Sequence, residues 1–118
     1  MRGPRVLVVV VLLGFALARV PIASAANVCV IGGVSHTATI VSSGVINGTA
    51  GNDVIYGSNG ADTIDGKAGN DIICGRGGAD TITGGDGDDL ISGDTNTDSL
   101  KGGPGNDIMY GGSSNDAL

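Results

Sequence analysis

The sequence predicts an all-β fold: a right-handed parallel β-roll, that is, a two-sheet β-solenoid with 18 residues per turn. Three observations predict it. From Gly48 the chain divides without insertion into GTAGNDVIY, GSNGADTID, GKAGNDIIC, GRGGADTIT, GGDGDDLIS, GDTNTDSLK, GGPGNDIMY and GGSSNDAL, the last unit one residue short. Position one is always glycine, position six always aspartate, and position eight always large and apolar. Odd units place Val54, Ile72, Leu90 or Ile108 after the aspartate, whereas even units place Thr63, Thr81, Ser99 or Ala117 there, so two units make one turn.

Residues 1–25 read as a signal peptide. A basic start (MRGPR) precedes the apolar run from Val6 to Ala18, and Ala23-Ser24-Ala25 forms a small-residue cleavage motif. An apolar run of 13 is short of the roughly 20 residues that span a bilayer. Cys29 lacks the leucine-led pattern expected before a lipid-modified cysteine. A secreted, extracellular protein is therefore expected.

Cleavage after Ala25 leaves Lys67, Arg76 and Lys101 against twelve aspartates, a mature net charge of −9. That balance argues against nucleic acid and, after cleavage, against anionic membranes as partners. It leaves a protein or polysaccharide partner open. All the acids are aspartates between Asp53 and Asp116, and a set this localised suggests cation ligands.

Residues 26–47 are expected to form an N-terminal capping segment. Val45-Ile46-Asn47 falls in register with Val54-Ile55-Tyr56, but Gly44 stands where the aspartate should be, which suggests a turn without a cation site. His36 has no cysteine or carboxylate near it in sequence and is expected at the surface. Asn47-Gly48-Thr49 matches a glycosylation sequon and is read as incidental.

Residues 48–118 form the array. Glycine at positions one and four is expected to let the backbone take positive φ and turn tightly. The last three residues of each unit favour a short strand with its middle side chain inward. Eight inward side chains, Ile55, Ile64, Ile73, Ile82, Ile91, Leu100, Met109 and Leu118, would then fill the space between the sheets.

The repeat resembles GGxGxDxUx of the RTX, or haemolysin-type, calcium-binding family over residues 48–118. The resemblance implies calcium ions held between loops one turn apart. Each would take position-six aspartates from both loops, carbonyls from positions two and four of one, and carbonyls from positions one and three of the next. The aspartates are Asp53, Asp62, Asp71, Asp80, Asp89, Asp98, Asp107 and Asp116. The glycines expected beside them are Gly51, Gly60, Gly66, Gly69, Gly75, Gly78, Gly84, Gly87, Gly102 and Gly105.

Spacing supplies an independent reason. Stacked turns bring equivalent residues about 4.8 Å apart, so the aspartates form one column along each edge of the roll. Such columns repel unless a cation joins them, and Ca²⁺ accepts six to eight oxygens at about 2.3 to 2.6 Å. Aspartate also shapes turns, but turn-shaping tolerates Asn, Ser or Gly, and none of these stands at position six in any of the eight units. Asn96 and Ser114 replace the position-four glycine, so four stronger sites and at most two weaker ones are expected.

The odd sheet would carry an apolar outer stripe, Val54, Ile72, Leu90 and Ile108, with Cys74 on the same face. Residues 28–41 are expected to cover it, clasped by a Cys29–Cys74 disulfide. The alternatives are unrelated thiols or an intermolecular bridge. No nucleophile and base can be assembled, there is no phosphate loop, and thin interlocking turns offer no deep pocket, so no enzyme is expected. The readings that follow are a calcium-folded secreted module, a calcium-rigidified adhesive module, or an accessory part of a secreted enzyme.

Overall fold

The computed structural model describes residues 28–118. The predicted signal peptide, residues 1–25, lies outside the described residues. Eleven strands make up the described part: β1 (Val28–Ile31), β2 (Val34–Thr37), β3 (Ile40–Val41), β4 (Val45–Asn47), β5 (Val54–Tyr56), β6 (Thr63–Ala68), β7 (Ile72–Arg76), β8 (Thr81–Asp86), β9 (Leu90–Asp94), β10 (Ser99–Lys101) and β11 (Ile108–Tyr110).

A strict sequence repeat stacks each residue on its own equivalent. Val54 pairs with Ile72, Ile72 with Leu90, and Leu90 with Ile108, all in parallel. On the other side Thr63 pairs with Thr81, and Thr81 with Ser99. The result is an odd sheet ordered β11-β9-β7-β5-β3 and an even sheet ordered β10-β8-β6-β4. Strands this short persist because each turn is hydrogen-bonded to the turns beside it.

Between the sheets lie Ile46, Ile55, Ile64, Ile73, Ile82, Ile91 and Leu100, each at most 4% exposed. The β-branched isoleucine suits this ladder, because its restricted χ1 costs little in a strand. Met109 is half-buried against the stack, but Leu118 is 68% exposed and is not part of the core. Among the described residues no strand stacks beyond Ala117 on that side. Ile46 and Ile40 continue the ladder at the opposite end instead.

Residues 28–47 do two things. Val45–Asn47 pairs with Thr63–Asp65 as a parallel edge strand, as its register predicted. Before it, β1 and β2 form an antiparallel hairpin closed by Gly32 and Gly33, with φ of 60° and 83°. Two successive positive φ values define the mirror-image turn that suits a two-residue hairpin.

The hairpin lies on the outer face of the odd sheet, where β1 packs against β5, β7 and β9. Cys29 and Ile31 enter a second apolar cluster with Tyr56 and Cys74, flanked by Val54, Ile72 and Leu90. Cys29 and Cys74 are joined as a disulfide, their Cα atoms 5.7 Å apart. The clasp is therefore intramolecular. Its cover is shorter than predicted, because Ile40–Val41 leaves it and joins the odd sheet beside Ile55 and Tyr56. Ile108 and Tyr110 remain about half exposed.

His36, expected at the surface, is partly exposed. It faces Cys29 across the hairpin, and its Nε2 is buried without a hydrogen-bond partner. Cross-strand pairing, which sequence proximity does not reveal, turns it toward the covered face.

Candidate calcium centre

The loops explain the glycines differently from the sequence expectation. Positive φ occurs at position two, in Lys67, Arg76, Gly85, Asp94, Gly103 and Gly112, and at position four, in Gly69, Gly78, Gly87, Asn96, Gly105 and Ser114. Position one keeps ordinary φ. Its glycine is required by close approach: a Cβ on Gly57 would fall 2.7 Å from the Gly75 carbonyl oxygen and 2.8 Å from Asp62 Oδ2. Gly66 and Gly84 are the same, against the Gly84 and Gly102 carbonyls and the carboxylates of Asp71 and Asp89. Asp80 and Asp107 close in on Gly75 and Gly102. Gly69, Gly78, Gly87 and Gly105 press on the position-four peptides of Gly51, Gly60, Gly69 and Gly87 one turn earlier. Side chains are thus excluded where carbonyl and carboxylate oxygens converge.

The aspartates form two hydrogen-bonded columns. The N–H of Asp53 donates to Oδ1 of Asp71 at 2.8 Å, that of Asp71 to Asp89 at 2.8 Å, and that of Asp89 to Asp107 at 3.0 Å. On the even edge the N–H of Asp62 donates to Asp80, that of Asp80 to Asp98, and that of Asp98 to Asp116, at 2.8 to 2.9 Å. The N–H of Gly44 donates to Asp62 in the same way, although Gly44 has no carboxylate to pass the column on.

At most one oxygen of each carboxylate is used by this ladder, and Asp53 contributes only its N–H. Oδ2 of Asp71, Asp80, Asp89 and Asp98 is buried and without any hydrogen-bond partner. Burial pushes the carboxyls of Asp71 and Asp80 up to about 6, with hydrogen bonds from Asp53 and Asp62 opposing and the neighbouring aspartates of each column adding to the rise. Asp89 and Asp98 are raised for the same first reason. A buried anionic oxygen without a donor is costly, and a cation is the natural remedy.

The donor chemistry fits Ca²⁺. Among the described residues no three His, Cys, Asp or Glu side chains gather closely enough to hold an ion by themselves, so backbone carbonyls or water would complete the shell. Carboxylates and glycine carbonyls converge beside Gly57, Gly66 and Gly84, and all are hard oxygen donors. In such a site Ca²⁺ supplies the positive charge that lets neighbouring aspartates remain ionised.

Two features escaped the sequence reading. In the first two loops the carboxylate is satisfied locally: Asp53 Oδ2 accepts from the N–H and Oγ1 of Thr49, and Asp62 Oδ2 from the N–H and Oγ of Ser58, at 2.6 to 3.0 Å. Those hydroxyls also accept from the N–H of Gly51 and Gly60 at 3.1 Å. The signal was a hydroxyl residue at position two, which later units replace by Lys, Arg, Gly or Asp. On the odd edge, position five forms a second ladder: Asn70 N–H donates to Asn52 Oδ1, Asp88 N–H to Asn70 Oδ1, and Asn106 N–H to Asp88 Oδ1, at 2.8 to 3.0 Å. Asn96 keeps the left-handed conformation of the glycine it replaces, φ 80°, and its Oδ1 accepts from the N–H of Gly78.

Fold and site together define a calcium-binding parallel β-roll. The chain matches the RTX calcium-binding nonapeptide repeat over residues 43–73, 70–100 and 92–118, and it belongs to that family. No curated protein and no solved structure compared with it matches.

Proposed function

We propose that this protein is a secreted calcium-binding module whose array folds when ions enter between its stacked turns. The observation that carries this reading is the set of four buried, partnerless Oδ2 atoms on Asp71, Asp80, Asp89 and Asp98. Without a cation these groups oppose the fold; with one they become its cross-links between turns. The core is a thin ladder of isoleucines, whereas backbone ordering costs about 1–2 kcal/mol per residue. Each site held at ten times its Kd contributes about 1.4 kcal/mol, enough for several sites to decide the balance.

The carboxylates and loop glycines named above are its ligand positions, with the partnerless carboxylates in the third to sixth loops. Export is supported by the signal-like residues 1–25 and by the disulfide, which persists in oxidising compartments. The family motif is a calcium-binding structural element, which supports a non-enzymatic role. Isothermal titration of the mature protein, residues 26–118, with CaCl₂ tests this reading. Several equivalents bound with exothermic folding support it, and no uptake at millimolar calcium contradicts it.

A further inference from the structure

The hairpin creates a feature that the repeat alone does not. Between β1 and the loops of the even edge lies an open cleft of about 570 Å³, shallow enough to agree with the expectation of no deep pocket. Small-molecule sites occupy about 300–1,000 Å³.

One side is apolar, with Val30 from the hairpin and Tyr56 from the odd sheet. The other is polar, with Asn59, Arg76, Asp94 and Thr95 from positions two and three of successive even loops. The Arg76 guanidinium carbon stands 4.7 Å from the centre of the Tyr56 ring. Stacking on that ring positions the cation while leaving its N–H donors free to point away from it. Among the described residues Arg76 has no ion-pair partner. Asp94 is in register with Arg76 one turn further on and is oriented by the Ser92 hydroxyl.

The chemistry of a matching ligand follows from this set. One cation and one anion balance each other, so a ligand of either net charge meets repulsion from Arg76 or Asp94. A hydroxyl group both accepts and donates, and a ring carrying several of them satisfies Arg76, Asp94, the Asn59 amide and the Thr95 hydroxyl together. Its C–H face then lies on the apolar side. We propose that the cleft is a binding site for a neutral saccharide. The proposal rests on the calcium reading only in needing a folded roll.

The test is an amide-resolved NMR titration of the mature, calcium-loaded protein, its fold first verified by circular dichroism. The probes are methyl glucoside, methyl galactoside, methyl mannoside and N-acetylglucosamine, with glucuronate as a charged comparison. At least one neutral sugar should shift the amides around Asn59, Arg76, Asp94 and Thr95. Arg76→Gly should weaken that binding about tenfold or more, the loss expected for hydrogen bonds to a charged group. Glycine already occupies position two at Gly85 and Gly103 with positive φ, so this variant keeps the loop and its backbone carbonyl, and circular dichroism in calcium verifies its fold before sugar is added. Absence of shifts with every neutral sugar, binding of glucuronate alone, or unchanged binding by Arg76→Gly overturns the proposal. A failure of the calcium reading would already show in the spectrum before any sugar is added.

Discussion

The backbone N–H of Asp71 donates to Oδ1 of Asp89, one turn further on, at 2.8 Å, while Oδ2 of Asp89 stays buried and partnerless. One carboxylate therefore serves two purposes, a hydrogen bond between turns and a ligand position for an ion. Asn retains the first function and removes the second. Asp71→Asn should keep the ladder to Asp53, bind fewer calcium ions, and be more stable than the parent in chelator because a buried charge is gone. Asp71→Ala should lose both functions. Two sites fewer by calorimetry are expected for either variant, since the third loop serves the first and fifth. Full stoichiometry in Asp71→Asn would contradict the assignment.

Gly66 tests the cradle. A Cβ there meets the Gly84 carbonyl and the Asp71 carboxylate, neither of which can withdraw without breaking the stack. Gly66→Ala should cost about 1–3 kcal/mol or more and abolish the sites on either side. By contrast, Gly51→Ala meets only the Thr49 hydroxyl, at 3.8 Å, and its φ is not in the left-handed range. Denaturant titrations of the two variants in calcium should differ by that amount, and equal losses would refute the close-approach account.

Most of the fold and the aspartate columns were legible because the repeat is strict, and a stacked repeat leaves register no freedom. The Cys29–Cys74 pair was legible from the alternation of side chains across a strand, which put Cys74 on the covered face. What escaped depends on contacts between non-equivalent parts. Ile40–Val41 becomes an edge strand because the sheet beside β5 offers free hydrogen-bonding groups, which no periodicity announces. The role of position one was misjudged because glycine has two uses, conformational freedom and lack of bulk, and only the stacked neighbour at Gly84 decides between them. The cleft beside Arg76 arises from a hairpin outside the repeat.

The pH dependence should reverse with calcium. In the metal-free roll Asp71 and Asp80 titrate near 6, above an unfolded carboxylate near 4. Their contribution is therefore fully favourable below about 4 and is lost as pH rises through about 6. In chelator, β-structure should increase when the solution is acidified from pH 7 to 5. Calcium competes with those same protons, so its binding should weaken about tenfold for each proton displaced between pH 6 and pH 5. Circular dichroism across pH with chelator and with calcium checks both signs, and parallel trends would contradict them.

The clasp should stabilise the roll without being a ligand. A disulfide joining residues 45 apart restricts the unfolded chain by about 2–4 kcal/mol. The Cys29→Ser, Cys74→Ser double variant should thus need more calcium to fold but bind the same number of ions. Mass-balanced calorimetry measures both, and a lowered stoichiometry would mean that the clasp shapes the sites themselves.

Calcium-coupled folding is tested most directly by far-ultraviolet circular dichroism of residues 26–118 at pH 7, first in chelator and then in millimolar calcium. The buried, partnerless carboxylates predict a largely disordered spectrum that converts to β-structure as calcium is added and reverts when it is removed. A β-spectrum that is already complete in chelator, and unchanged by calcium, would contradict the account.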